Sequence, residues 1–285
     1  MIRRNRQGDR RPELRRSTPT SRAARLLLPA LFRTASEAAR TWRESEDPED
    51  LHDLRVAARR YRAAVRFFRP LLKHESVRRI LKATERLAIV SGPLRDADVL
   101  ASLGQSVRGD AAGGAPGSAR LRRFLAGREF RALRAEVAGL HRAQHLEKSG
   151  RPTPTLGAFA AARLRDRLED LTGSGLLKHL NQPNRVHGTR KRVRRLRYWA
   201  EMVAPSCGGP MAKLAARLHD AATALGELHD VDVALERRGA DTGSLRRLRR
   251  ERVRTVRSAW VALTGREGHL VIRNAMLAAV EREVL

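Results

Sequence analysis

Between His52 and Arg62 the chain reads His-Asp-Leu-Arg-Val-Ala-Ala-Arg-Arg-Tyr-Arg, placing one imidazole and four guanidiniums within eleven residues. A guanidinium fork donates two parallel hydrogen bonds to an oxyanion and keeps its charge when partly dehydrated, and an imidazole adds a titratable donor. The chemistry this composition suits is the holding of anions. On a helix of 100° per residue, His52, Arg55, Arg59, Arg62, Arg66 and Arg69 share a stripe about 100° wide. Leu54, Ala58, Tyr61, Val65, Phe68 and Leu72 form the neighbouring apolar stripe, so a core face borders a cationic one. A charged stripe is ordinarily a solvated face with mixed signs. No acidic residue stands between Arg55 and Arg69, so this stripe lacks i,i+4 ion pairs and its like charges repel. An external polyanion would relieve that repulsion.

The arrangement occurs twice. At a constant offset of 135, His52, Arg55, Arg59, Arg60 and Arg62 fall on His187, Arg190, Arg194, Arg195 and Arg197, and Pro70 falls on Pro205. At an offset of 134, Gly92-Pro93-Leu94-Arg95-Asp96-Ala97-Asp98-Val99 falls on Gly226-Glu227-Leu228-His229-Asp230-Val231-Asp232-Val233, and Arg79 falls on Lys213. The chain therefore reads as two copies of one helical unit, a repeat of about 135 residues, the first over about 21–149 and the second over about 155–285. In the second copy His187, Arg190, Arg194 and Arg197 lie beside Val193, Leu196, Ala200 and Val203, with Glu201 where the first copy has Arg66.

The elements that must carry these residues are helices. From Ser21 onward Ala, Leu, Arg and Glu dominate, and no period-two alternation is long enough for a sheet, which gives an all-α fold. Breaks are expected at Asp47-Pro48, Pro70, Gly92-Pro93, 109–117, 150–154, 173–175, Pro183, 205–210 and 241–243, separating roughly eight helical segments. Asp47 is placed to cap a helix running from Pro48 to Pro70, and Asn184 to cap one running to Pro205. Residues 1–20, rich in Arg, Pro, Ser and Thr, read as a disordered basic arm, with the fold occupying 21–285. Trp199 and Trp260 read as core.

Composition narrows the function classes. The 285 residues carry 59 Lys plus Arg against 31 Asp plus Glu, a formal charge of +28, and only six of the basic residues are lysine. With 41% apolar residues the chain can bury a core, which excludes disorder throughout. The longest apolar run, Leu26 to Phe32, contains Pro29 and falls far short of the roughly 20 residues of a membrane span, so no membrane partner is expected. Arginines flank that run and no small-residue cleavage site follows it, so no secretory signal is expected. One cysteine, Cys207, excludes a disulfide framework or a Cys-rich zinc site and fits a reducing, cytoplasmic setting.

The duplicated His-x-x-Arg-x-x-x-Arg-Arg-x-Arg helix, the Leu-Arg-Asp-x-Asp-Val segment with its partner at Leu228–Val233, and Arg197-Tyr198-Trp199-Ala200-Glu201 resemble the CHAD domain, the conserved histidine α-helical domain. The resemblance spans the chain from about residue 20 to its end. It implies two helical bundles related by a pseudo-twofold, with a basic channel or cleft between them. It also implies binding of inorganic polyphosphate, often at polyphosphate granules, without catalysis, metal or cofactor. Carried onto this sequence, the implied binding residues are His52, Arg55, Arg59 and Arg62 with His187, Arg190, Arg194 and Arg197, flanked by Arg60, Arg66, Lys191 and Arg195, and by Arg79 and Lys213 from the overlay. His229 in place of Arg95, and Glu201 in place of Arg66, imply a weaker second half. Many relatives carry an N-terminal triphosphate-tunnel domain; a 20-residue arm here implies no hydrolase in cis.

Two other readings attach to the same residues. His52-Asp53, His219-Asp220 and His229-Asp230, with His187 and Asp232, suggest an HD-type metal-dependent phosphohydrolase, a site that requires histidines and a distant aspartate to converge on one metal. A charge of +28 also binds nucleic acid non-specifically at low salt, although 4% aromatics provide no stacking platform. The two motif histidines either donate to phosphate or satisfy loop carbonyls. Asp96, Asp98, Asp230 and Asp232 either orient arginines and cap helices or bind a metal. The sequence sets no oligomeric state.

Overall fold

A computed structural model of the protein describes residues 12–94, 114–141, 154–237 and 243–281. The described residues form ten α-helices: α1 (Thr20–Ser45), α2 (Pro48–Phe67), α3 (His74–Val90), α4 (Gly114–Ala126), α5 (Arg128–His141), α6 (Leu156–Thr172), α7 (Pro183–Cys207), α8 (Gly209–Arg237), α9 (Gly243–Thr264) and α10 (Arg266–Val280). Short 3-10 turns stand at Arg69–Leu71 and Leu176–Lys178. Among the described residues no helix is long and apolar enough to cross a membrane. The chain divides into two compact units. Ser21–Thr153 make up the first, and Pro154–Leu285 with Leu14–Thr20 make up the second.

In the first unit α2 begins as its sequence dictates. Asp47 is extended, its carboxylate accepts the Glu49 amide at 2.7 Å, and Pro48 opens the first turn. The helix ends at Phe67, short of the expected Pro70: Pro70 has no N–H to continue the i→i−4 ladder, and Arg69–Leu71 close as a 3-10 turn instead. The apolar stripe is the core face: Leu54, Ala58, Tyr61, Val65, Phe68 and Leu72 are all buried. Phe32 of α1 bridges Tyr61 of α2 and Phe130 of α5, with ring centroids 5.2 and 6.3 Å apart.

The second unit is organised by α8, which packs against α7, α9 and α10. Met211, Leu214, Leu218, Leu225, Leu228, Val231 and Ala234 are buried around most of its circumference, as befits a central helix. Helix α7 corrects two expectations. Its N-cap is Gln182, with Pro183 in the first turn, so Asn184 already lies inside the helix. Its end is Cys207, because Pro205 occupies the last turn and the stop is Gly208 at φ 83°. Gly127 and Gly265 interrupt what the sequence suggested were continuous helices, so the described residues already hold more than the roughly eight expected.

The arm also needs correcting. Residues 1–11 lie outside the described residues, but 14–20 are built into the second unit by their backbone. The Leu156 amide donates to the Thr18 carbonyl at 2.8 Å, Gly157 to Arg16 at 2.9 Å, and Thr20 to Pro154 at 3.0 Å; Arg16 Nη1 reaches the Ala278 carbonyl at 3.0 Å. Backbone pairing needs no apolar periodicity, so composition alone did not reveal it. Gly157 sits where this strap meets α10, and a Cβ there would overlap the Ala279 carbonyl. Gly157→Val should therefore cost about 1–3 kcal/mol through forced displacement, read as a lower melting temperature with native helicity retained at 20 °C.

Candidate functional site

Each unit presents a basic face on the helix that carries its motif. On α2, Arg55, Arg59 and Arg62 line a small cavity closed by Ala58 and by Thr84, Leu87, Ala88 and Ser91 of the α3 end. Arg55 is tied down: its Nη1 donates to Ser91 Oγ at 2.7 Å and to the Ala88 carbonyl at 3.4 Å, so it satisfies the open C-terminal end of α3. Arg62 faces Glu85 of α3 at 3.6 Å, a partner the sequence stripe does not contain. Arg59 forms no ion pair among the described residues. His52 and Arg66 follow the same stripe, partly exposed. Arg60 is turned roughly 100° from it, on the flank.

On α7 the corresponding row is His187, Arg190, Arg194 and Arg197, with Lys191 at its border and Arg195 on the flank. Helix α8 supplies the facing groups. His229 lies against His187 with ring centroids 4.6 Å apart and planes at 39°. Asp230 approaches Arg190 at 4.0 Å. Arg197 is held by Glu201 at 2.8 Å and lies 4.8 Å from the Tyr198 ring centre, and His219 approaches the same Glu201 at 3.9 Å. His229, which the sequence presented as a weakening replacement for Arg95, is thus part of the face. Its place in the overlay at 134 was the available signal.

Two candidates are not brought to these faces. Arg79 is clamped by Glu136 of α5 through two bonds, at 2.9 and 3.0 Å, and lines a different cavity with Lys82 and Arg86. Lys213 is sixteen residues from His229 along α8, roughly 24 Å, and is turned about 160° from it. The two occupy matching sequence positions, yet neither sits on the motif face of its unit.

The acidic motif residues separate by role. Asp230 faces Arg190, whereas Asp232 is 4% exposed and accepts from Arg249 of α9 at 2.7 Å, with Arg249 also bonded to the Leu180 carbonyl at 2.9 Å. Asp232 is therefore a structural pin between α8, α9 and the 176–180 turn, and it does not converge with His187. Asp96, Asp98 and Arg95 lie outside the described residues. Among those described, no group of three or more His, Cys, Asp or Glu is arranged to hold a metal.

The sequence matches the family model described as the CHAD domain over residues 26–239. Among solved structures the chain is similar to the CHAD domain from the plant Ricinus communis, with a TM-score of 0.59 and 18% identity over 96% of each chain. It is also similar to PptA from Streptomyces chartreusis, with a TM-score of 0.52 and 20% identity, covering 90% of this chain and 99% of that one. At these identities the likeness is one of fold. No curated protein matches the sequence.

Electrostatics sets the protonation of the histidine pair. Burial first, then Lys191, Arg190 and Arg194, hold His187 below the usual imidazole range. Burial first, then Arg190, His187, Arg194 and Lys191, push His229 down to about 4 from its ordinary 6.5. Between those values the unfolded chain binds a proton that the folded chain refuses, so stability is full above about 6.5 and falls as pH drops toward 4. Thermal melts between pH 6.5 and 5 should show a declining midpoint, and His229→Gln should flatten that slope. An unaltered slope in the variant would place the titration elsewhere.

Proposed function

The chain belongs to the CHAD domain family, and on that premise we propose that it binds inorganic polyphosphate non-catalytically through the basic faces of α2 and α7, in the cytoplasm at polyphosphate granules. The observation that carries this reading is the surplus of cations over carboxylates on these faces. On α2 Arg62 meets Glu85 at 3.6 Å, beyond hydrogen-bond length; on α7 Arg197 takes Glu201 at 2.8 Å; Arg59 and Lys191 form no ion pair among the described residues. Partly exposed pairs of this kind contribute little, so exchanging them for phosphate oxygens costs little.

The spacing suits a linear ligand. Arginines at i, i+4 and i+7 place a fork about every 5–6 Å along the axis, a repeat that a chain of tetrahedral phosphates can follow. Polyphosphate offers no base to stack and no groove to enter, and the described faces contain no exposed aromatic platform. His52 and His187 are assigned as donors at the start of each row. Arg66, Arg60 and Arg195 flank the rows.

Calorimetry with defined polyphosphate lengths tests the reading on Arg59→Ala/Arg62→Ala/Lys191→Ala/Arg194→Ala, which spares Arg55 because that side chain caps α3. Affinity should fall at least 100-fold with helicity unchanged. The slope of log K against log salt should shrink by about 3, as four phosphate contacts imply at roughly 0.7 per contact. Wild-type affinity in this variant, or displacement of bound polyphosphate by nucleic acid at physiological salt, would overturn the proposal.

A further inference from the structure

Helix α9 begins beyond the residues matched by the family model, and its arginines fall into two classes. Those facing α8 have carboxylates: Arg249 bonds Asp232 at 2.7 Å, and Arg252 pairs with Glu227 at 3.0 Å. Arg246, Arg247, Arg250, Arg254 and Arg257 are all exposed, and none forms an ion pair among the described residues. At 100° per residue these five occupy an arc about 100° wide that contains no acidic residue. The buried residues Leu245, Val256, Trp260 and Leu263 point about 130° away from the centre of that arc. The strip therefore looks away from α8, and hence away from His229 and the α7 face.

Arg246, Arg250 and Arg254 are stacked at i,i+4, where like charges destabilise an isolated helix. Seven arginines on one helix, sorted so that inward ones are paired and outward ones are not, make a continuous guanidinium row about 16 Å long between 246 and 257. We infer that this outward row of α9 is a second docking strip for linear polyphosphate, making the protein multivalent toward long chains. This rests on the function proposed above. A single narrow row matches a single file of phosphates, whereas a nucleic-acid duplex presents two files across a groove. The large apolar residue exposed within the arc is Val261, and Trp260 is buried, so the strip has nothing on which to stack a base. Two strips on separate faces let one long chain engage the same molecule twice or join neighbouring molecules, raising avidity without any new contact.

The test uses the full chain carrying Arg246→Glu/Arg250→Glu/Arg254→Glu, with Arg33→Glu/Arg43→Glu/Arg128→Glu as a control of equal charge change on exposed sites of the first unit. The probes are polyphosphates of about ten and of several hundred phosphates. The strip variant should bind the short chain within about threefold of the control, bind the long chain at least tenfold more weakly, and lose the light scattering that long chains induce in wild type. Equal losses in the control would reduce the effect to general charge and overturn the inference. So would wild-type long-chain binding and scattering in the strip variant, or a selective loss of duplex DNA binding. If the strip variant misfolds by circular dichroism, the Arg→Gln triple variant carries the same comparison. Absence of short-chain binding in wild type would instead refute the proposed function itself, and this inference with it.

Discussion

Like-charge repulsion is the constraint under which this chain folds. With 59 basic residues and 31 acidic ones, neutralisation everywhere is arithmetically impossible, so the placement of each carboxylate is the informative variable. Carboxylates meet arginines closely where helices must be fastened: Asp232 with Arg249 at 2.7 Å, Glu136 with Arg79 at 2.9 Å, Glu227 with Arg252 at 3.0 Å. On the motif faces Arg62 meets Glu85 across helices only at 3.6 Å, while Arg197 takes Glu201 of its own helix at 2.8 Å. Burial of the adjoining stripe, from Leu54 to Leu72 on one side and Val193 to Val203 on the other, supplies the stability that lets those rows persist.

A helix that carries core and cation rows side by side has a further consequence. An arginine of the row can acquire a structural task, as Arg55 does when it closes the carbonyls of α3. Function and packing then overlap in one side chain, and the same guanidinium that could hold an anion also fixes the neighbouring helix. Arg59, one turn further on, has no such bond and forms no ion pair among the described residues.

The helical class, the start of α2 at Asp47 and the two-stripe pattern of α2 and α7 were legible because each is local: a cap, a proline, a period near 3.6. What was not legible depends on chain segments distant in sequence. Residues 14–20 join the second unit through backbone hydrogen bonds to 154–157, which impose no pattern on side chains. Arg79 and Lys213 share a sequence offset, but an offset records residue type and not the direction of a helix face, and Glu136 lies 57 residues from Arg79. Gly127 and Gly265 ended helices without the company of proline or a polar cluster, so nothing nearby marked them as stops.

The histidines give the α7 face a property that guanidiniums cannot. Arginine charge is fixed at any physiological pH, whereas His229, held at about 4 by burial first and then by Arg190, His187, Arg194 and Lys191, is neutral at pH 7. A polyanion laid along the row opposes the potential of Arg190, Arg194 and Lys191, which is the part of the depression that charge rather than burial imposes. Burial, the larger cause for both imidazoles, is left untouched by such a charge. Two imidazoles held neutral add no charge to a row that Arg190, Arg194 and Lys191 already make repulsive, so the histidines extend the face without raising its self-repulsion.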